Sequence, residues 1–238
     1  MTGAQVSNLV ANGSFEEGPG GEGGPPAAWS VSGSSEVGQK LIGETGPGGG
    51  RWARLECTRF GKPSPSTHAM ICQVGTVGLK RGVWYKFSFR ARGQDIKGNT
   101  VSVGISRTRP WGQAALGDSF FVGPEWERQE FLFRAKEDLD PAVSRLQFHY
   151  TSTGTFWLDD VVLVETDERP RWMPELSSDS GGNLIPNSSF ECGAANWGSV
   201  MLSPGAWGQN LFRLEGDVVG GRVPHGERCL RISLGAGS

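Results

Sequence analysis

The sequence predicts an all-β protein folded as an antiparallel β-sandwich. Short segments alternate between apolar and polar residues, and no stretch keeps a helical apolar period for more than about two turns. Clusters of Gly and Pro separate these segments, as in Glu17–Pro26 and Gly43–Gly50. With 37 Gly, 9 Trp and 12 Phe residues in 238, the composition is typical of strands joined by tight turns around an apolar core.

An eleven-residue motif occurs twice in the chain. It reads NLVANGSFEEG at Asn8–Gly18 and NLIPNSSFECG at Asn183–Gly193, with seven identical positions. A recurrence at domain distance indicates tandem modules rather than a short-period solenoid. We therefore predict a complete module over residues 1–166, a linker over 167–182 and a truncated second copy over 183–238. We expect the chain to be a fragment of a longer polypeptide.

The clearest strand is Trp84–Arg92, which alternates over nine residues. Val101–Arg107 has the same period, with Val, Val and Ile predicted to face the core and Ser102, Gly104 and Ser106 predicted to face outward. Such a small outward face leaves room for a ligand. In Ser144–Ser152, Leu, Phe and Tyr alternate with Arg, Gln and His.

The remaining segments are shorter. Thr58–Thr67 and Thr108–Gly117 are predicted loops, because they are rich in Gly, Pro and polar residues. The other predicted strands are Ala28–Ser32, Glu36–Leu41, Arg51–Cys57, His68–Thr76, Ser119–Val122, Arg128–Arg134 and Thr155–Glu165.

Composition excludes several functions. A net charge of −2 argues against nucleic acid or an anionic membrane as a partner, and no apolar run reaches the length of a membrane span. None of the metalloprotease, nucleophile-elbow or phosphate-loop motifs occurs, so we predict no enzyme activity. The cysteines lack C-x-x-C spacing, and disulfides and buried thiols stay equally open for Cys57, Cys72, Cys192 and Cys229.

Three motifs in order give a family resemblance. The opening N-L-x-x-N-x-x-F-E-x-G is followed by a middle motif within Leu79–Arg92 and by W-L-D-D-V-V-L at Trp157–Leu163. Over residues 8–165, the chain resembles the jelly-roll carbohydrate-binding modules appended to bacterial xylanases and glucanases. The resemblance implies a jelly-roll, galactose-binding-like sandwich. It also implies a secreted, cell-surface or periplasmic location, although no signal peptide opens the chain.

The implied function is non-catalytic binding of a polysaccharide or oligosaccharide. A plant or microbial β-glycan of the xylan or β-glucan type would lie in an aromatic-walled cleft and bring an attached glycoside hydrolase to its substrate. The catalytic domain is then expected outside this chain. The alternative is a structural or protein-interaction sandwich without glycan affinity, in which the outward small face is covered or featureless.

Positions matching the family's cleft give the candidate binding residues. The alternatives are that Trp111 packs over the sandwich edge and that His149 and Gln147 are ordinary surface residues. Five further tryptophans (Trp29, Trp52, Trp84, Trp126 and Trp157) are predicted to pack in the core or at sheet edges. One aromatic wall is expected at Phe60 and His68, the opposite wall at Arg107 and Trp111, and a polar floor at Gln147 and His149, shared by Arg90 and Lys86.

The resemblance also implies a structural Ca²⁺ ion. Glu16, Asp159 and Asp160 supply the carboxylate oxygens that this ion prefers. One of the adjacent aspartates is expected to point into the sandwich, with Asp159 as the first choice, and this is costly without a partner cation. The alternative is that both aspartates cap backbone amides at a strand edge.

Overall fold

The computed structural model describes residues 7–18, 24–62, 64, 67–168, 212–215 and 231–234. The chain divides into two compact units, of which the first contains Met1–Thr166. In the second unit a hairpin is described, in which Phe212–Glu215 pairs antiparallel with Arg231–Leu234. The second motif copy, most of the predicted linker, Cys192 and Cys229 lie outside the described residues, so the truncated copy stays a prediction.

The first unit is a β-sandwich of ten strands in two antiparallel five-stranded sheets. Its strands are β1 (Ser30–Val31), β2 (Gly38–Thr45), β3 (Arg51–Arg59), β4 (Ala69–Val74), β5 (Trp84–Gln94), β6 (Thr100–Thr108), β7 (Trp111–Phe121), β8 (Glu127–Arg134), β9 (Ser144–Tyr150) and β10 (Gly154–Glu165). We call β1-β4-β9-β6-β7 the front sheet and β2-β3-β10-β5-β8 the back sheet. The predicted fold class is confirmed.

Helices contribute little to the described residues. Two short 3₁₀ turns, Lys97–Asn99 and Pro141–Val143, precede β6 and β9. No helix among the described residues has the length and apolar character to cross a membrane.

The core lies between the two sheets and follows the predicted alternation. Tyr85, Phe87 and Phe89 of β5 are at most 1% exposed, and Phe148 of β9 is fully buried. The rings of Phe89 and Phe148 meet edge to face, with centroids 4.9 Å apart, so the two sheets contact through aromatic side chains.

The opening motif runs beside the second half of β10. Asn8 donates through Nδ2 to the Val161 carbonyl (3.0 Å), and its Oδ1 accepts from the Leu163 amide (2.9 Å). The amide of Leu9 donates to the Leu163 carbonyl, and that of Val161 donates to the Gly13 carbonyl, both at 2.8 Å. The segment thus supplies hydrogen bonds that no neighbouring strand supplies there, because β3 pairs with β10 only as far as Leu158.

The same motif also contacts the front sheet. The amide of Gln73, which is 1% exposed on β4, donates to the Ala11 carbonyl (2.7 Å) and accepts from the Ala11 amide (3.0 Å). Asn12 has a left-handed backbone (φ 46°), a conformation that Asn tolerates, and its carbonyl accepts from Trp29. The ring of Phe15 is buried 5.1 Å from that of Trp29. The motif therefore ties both sheets together.

A bulge in β10 corrects one expectation. The register against β5 shifts between Asp159 and Val162, with Asp160 in a left-handed conformation (φ 51°). Leu158 and Val161 are both fully buried as a result, while Asp159 is half-buried and Asp160 is exposed. The prediction that one aspartate points into the sandwich is wrong, because the bulge turns both away from the core.

Two further expectations are settled by the strands. The predicted loop Thr108–Gly117 is wrong, because β7 begins at Trp111, which pairs with Thr108 across a two-residue turn. Cys57 and Cys72 are free, buried thiols on different sheets, and burial raises the pKa of each. The buried-thiol alternative therefore holds for this pair.

Removing the side-chain bridge at Asn8 is expected to destabilise the first unit. Asn8→Ala leaves the Leu163 amide and the Val161 carbonyl without these partners, at a cost of about 2 kcal/mol. We expect the urea midpoint of the first unit to fall accordingly. Ser14→Ala is the matched control, since Ser14 belongs to the same motif but is exposed, and equal losses in both variants would contradict the bridging role.

Candidate functional site

The outer face of the front sheet gathers polar and small side chains from four strands. Residues that pair across neighbouring antiparallel strands share one face. The pairs of β4, β9, β6 and β7 therefore form three rows across the sheet. We call this face the floor. Its first row is Met70, His149, Ser102 and Ser119, and its middle row is Cys72, Gln147, Gly104 and Gly117. Its third row is Val74, Arg145, Ser106 and Gln113.

The floor is recessed although it faces away from the core. Met70 and Cys72 are each only 2% exposed, and Ser106 is 3% exposed. In the middle row Gly104 faces Gly117 without side chains, and a Cβ on Gly104 would lie 3.8 Å from Gln147 Nε2. The predicted small outward face of β6 is therefore confirmed.

Four polar atoms of the floor are buried without a hydrogen-bond partner. They are Gln147 Oε1, His149 Nδ1, Ser106 Oγ and Arg145 Nε. Each such atom costs about 1–3 kcal/mol relative to a satisfied one. Buried polar groups in folded proteins are normally paired, so these four atoms are candidates for bonding to a ligand or to water, as are the Nε atoms of Arg54 and Arg92 on the back sheet and of Arg107.

Two histidines lie together at one end of the floor. The rings of His68 and His149 are 5.1 Å apart. Burial, and secondarily the neighbouring His68, lowers the pKa of His149 to about 4, and burial followed by the charge of Arg145 lowers the pKa of His68. Both imidazoles are therefore neutral at pH 7, and a neutral imidazole offers one donor and one acceptor to a hydroxyl.

Trp111 is the aromatic side chain of this face. Trp111 pairs with Thr108 at the end of β6. Because Thr108 follows the floor residue Ser106 by two positions, both it and Trp111 project on the same side as the floor. Its side chain is 72% exposed, more than any other large apolar side chain among the described residues. An indole of this exposure beside a polar floor can stack on the apolar face of a ring.

Two residues predicted to share the polar floor lie on the other sheet. Arg90 is on β5 of the back sheet, 4.0 Å from Asp160, so the prediction that it shares a floor with Gln147 is wrong. The same holds for Lys86, which forms an ion pair with Glu130 on the back sheet. The alternation of a strand gives the side of each residue but not the sheet to which the strand belongs.

Arg107 and Phe60 have packing partners of their own. Arg107 projects from the opposite side of β6 to Ser106 and forms a 3.0 Å ion pair with Glu137. Phe60 follows β3 and packs, partly buried, against the apolar core. Their role in binding therefore stays a prediction, and the floor brings together His149 and Gln147, with His68 and Trp111 beside it.

The sequence interpretation missed Arg145 and Gln113. Arg145 alternates with Leu146 in the same pattern that identified Gln147 and His149, so the signal was present. Gln113 lies in the segment predicted as a loop, and its side chain lies over Gly117.

The five tryptophans predicted to pack in the core or at sheet edges fall into two groups. Trp29 and Trp84 are buried. On the back sheet, Arg92 lies 4.3 Å from the Trp157 ring and 5.3 Å from that of Trp126, whose ring is 5.6 Å from Trp52. Trp52 and Trp157 are thus half-buried on interior strands of the back sheet, β3 and β10, rather than in the core or at a sheet edge.

Asp159 and Asp160 are adjacent in the β10 bulge, and the charge of Glu16 also acts on Asp159. Burial, and secondarily the charges of Asp160 and Glu16, raise the pKa of Asp159 to about 6, while the Asp160 amide and Arg90 oppose the rise. Asp159 Oδ1 accepts from the Asp160 amide (2.8 Å), and Glu16 Oε1 accepts from the Arg51 amide (3.0 Å). Within the described ranges, no three His, Cys, Asp or Glu side chains are gathered closely enough to hold a metal ion, so calcium stays a prediction.

Comparison with solved structures gives a fold likeness. A CBM4 module has a TM-score of 0.49 and 18% identity, covering 66% of this chain and 99% of its own. The N-terminal cellulose-binding domain of Cellulomonas fimi β-1,4-glucanase C has a TM-score of 0.46 and 19% identity, covering 68% and 99%. The chain resembles carbohydrate-binding modules.

A third solved structure is similar to the same degree. The family 11 carbohydrate-binding module of the Clostridium thermocellum cellulosomal cellulase Lic26A-Cel5E has a TM-score of 0.46 and 16% identity, covering 71% of this chain and 99% of its own. No family model and no curated protein matches the sequence. With TM-scores below 0.5, these likenesses leave the ligand to be argued from the floor itself.

The raised pKa of Asp159 predicts a stabilising substitution. A carboxyl whose pKa is higher in the folded protein destabilises it when ionised, so this cost is absent below about pH 4 and complete above about pH 6. Asp159→Asn in the presence of a chelator should raise stability at pH 7.5 by about 1 kcal/mol, after allowance for solvent screening.

Thermal melting at several pH values measures this effect. The gain corresponds to roughly 2–4 °C at pH 7.5 and should vanish at pH 4. Asp167→Asn, just beyond β10, is the control and should show no such dependence. A loss of stability in Asp159→Asn at both pH values would contradict the carboxylate repulsion.

Proposed function

We propose that the first unit binds a polysaccharide or oligosaccharide on the floor of the front sheet. The observation that carries this proposal is the set of four buried, unpaired polar atoms next to the exposed ring of Trp111. A purely structural sandwich would leave these floor atoms without partners, whereas the hydroxyl groups of a bound glycan can supply them.

The chemistry of a sugar matches these groups. Each hydroxyl is both a donor and an acceptor, so it can donate to Gln147 Oε1 and exchange hydrogen bonds with His149 Nδ1 and Ser106 Oγ. The apolar face of a pyranose ring can stack on the indole of Trp111. A ligand with both an apolar face and many hydroxyls uses both features at once.

The extent of the floor favours a chain over a single sugar. It crosses four strands spaced about 4.8 Å apart, so it is on the order of 15 Å wide, enough for several sugar rings. We infer that a β-glycan of the xylan or β-glucan type is bound along it. The floor residues include no Asp or Glu, and glycoside hydrolysis uses a pair of carboxylates at the scissile bond, so we propose binding without turnover.

The setting of the module is part of the same proposal. We propose that it belongs to a longer exported protein and brings an attached glycoside hydrolase to its substrate. The support is the motif resemblance over residues 8–165 and the restart of the opening motif at Asn183.

We further propose that Ca²⁺ binds at Glu16, Asp159 and Asp160. Burial, and secondarily the charges of Asp160 and Glu16, raise the pKa of Asp159, and a divalent cation would stabilise the ionised carboxylates, which supports this proposal. Added Ca²⁺ should then raise the melting temperature of the wild-type protein at pH 7.5 and leave that of Asp159→Asn unchanged. Equal responses of the two proteins to Ca²⁺ would refute this site.

Substitutions on the floor should weaken glycan binding. Trp111→Ala and Gln147→Ala are each expected to reduce affinity about tenfold, through lost stacking and lost hydrogen bonds respectively. Affinity electrophoresis against soluble xylans, β-glucans and mannans identifies the ligand, and calorimetry then measures the affinities. Trp126→Ala on the back sheet is the matched control and should bind normally.

Retention of full affinity in both floor variants would contradict the proposed site. If the folded protein binds none of these glycans, the result favours the structural or protein-interaction alternative instead.

The lowered pKa of His149 predicts how binding depends on pH. Because this pKa is about 4, the imidazole stays neutral from pH 8 to about pH 5, and affinity for a neutral glycan should be constant over that range. Below about pH 4, protonation adds a charge in the buried floor and removes the Nδ1 acceptor, so affinity should fall. Calorimetry across this range measures the pH at which half of the affinity is lost. His149→Gln, which has no imidazole to protonate, is the control. A midpoint near pH 6.5 would contradict the buried, neutral state.

A further inference from the structure

Arg145 is the positive charge of the floor. It lies on β9 between Val74 of β4 and Ser106 of β6, with its Nε buried and unpaired. Among the described residues no carboxylate forms an ion pair with it. Arg107, on the other side of the neighbouring strand, is by contrast paired with Glu137 at 3.0 Å.

The charge of Arg145 extends over the floor. It lowers the pKa of both His68 and Cys72, so its electrostatic effect reaches β4 and the residue before that strand. The two histidines beside it are neutral at pH 7, and the floor rows contain no acidic residue. The floor therefore carries one positive charge that no floor residue neutralises.

A partly buried arginine without an ion-pair partner is suited to binding a carboxylate. Partly burying a charge costs free energy unless a partner compensates it. The guanidinium is planar and always protonated, and its donors match the two oxygens of a carboxylate. Ser106 Oγ, which is 3% exposed and unpaired, pairs with Arg145 in register and can donate to the same group.

We propose that the floor binds an acidic glycan, with a uronic acid residue whose carboxylate is bound by Arg145 and Ser106. This inference rests on the proposed glycan-binding function and narrows its substrate class. A sugar ring of the same glycan stacks on Trp111, which projects from the same face of the sheet as Ser106. Neutral sugars of the glycan occupy the floor toward Gln147 and His149.

The sharpest test compares one polymer in two chemical states. A uronate-bearing xylan and the same xylan after reduction of its carboxyl groups to primary alcohols differ only in the anion. By calorimetry, the wild-type protein should bind the acidic form at least tenfold more tightly. Arg145→Gln should bind both forms equally, and Arg145→Lys should recover part of the preference, since it keeps the charge but loses the planar fork.

Two controls keep the test decisive. Arg90→Gln removes an exposed charge from the back sheet and should keep the wild-type preference. Raising NaCl from 20 to 500 mM should weaken wild-type binding of the acidic form more than that of the reduced form, a measurement that needs no variant.

The outcomes separate the two proposals. Equal wild-type affinity for the acidic and reduced polymers overturns the uronate inference and leaves glycan binding intact. Preference for a sulfated polymer over the uronate-bearing one also overturns it, since the anion is then not a carboxylate. Binding of no polymer in any form overturns both.

Discussion

The pairing of the opening motif with β10 is the contact on which the first unit depends. β10 lies at the centre of the back sheet, yet β3 accompanies it only to Leu158. Beyond the bulge, its backbone groups on that side are satisfied by Asn8, Leu9 and Gly13 instead. The same segment is held to the front sheet by the buried amide of Gln73. One short segment thus satisfies backbone groups in the back sheet and fixes its distance from the front sheet.

The character of the floor follows from how the two sheets divide the side chains. Large aromatic residues fill the space between the sheets, so β6 and β9 direct their small and polar residues outward. Where Gly104 faces Gly117, neither residue has a side chain, and the Gln113 side chain lies over Gly117 instead. Such a surface offers fixed hydrogen-bonding groups rather than mobile ones, which lowers the entropy lost on binding.

Sequence reasoning succeeded where one strand contains its own signal. The alternation in β5 and β9 identified the core face, and with it Gln147 and His149 on the opposite side. It failed where the answer depends on a distant partner. The sheet assignment of Arg90 comes from the pairing of β5 with β10. The bulge at Asp160 is likewise a feature of that pairing, with Leu158 and Val161 buried on either side of it. The turn-forming residues before Gly117 concealed β7, because an edge strand with a register shift tolerates them.

The adjacency of Leu9 and Leu163 also has an evolutionary consequence. The chain enters and leaves the sandwich at neighbouring backbone positions, joined by a 2.8 Å hydrogen bond. A domain whose two ends adjoin can be duplicated, deleted or inserted into a loop of another protein without distorting that protein, because the distance between its ends is small. The recurrence of the opening motif at Asn183–Gly193 is the sequence pattern that such a duplication would leave.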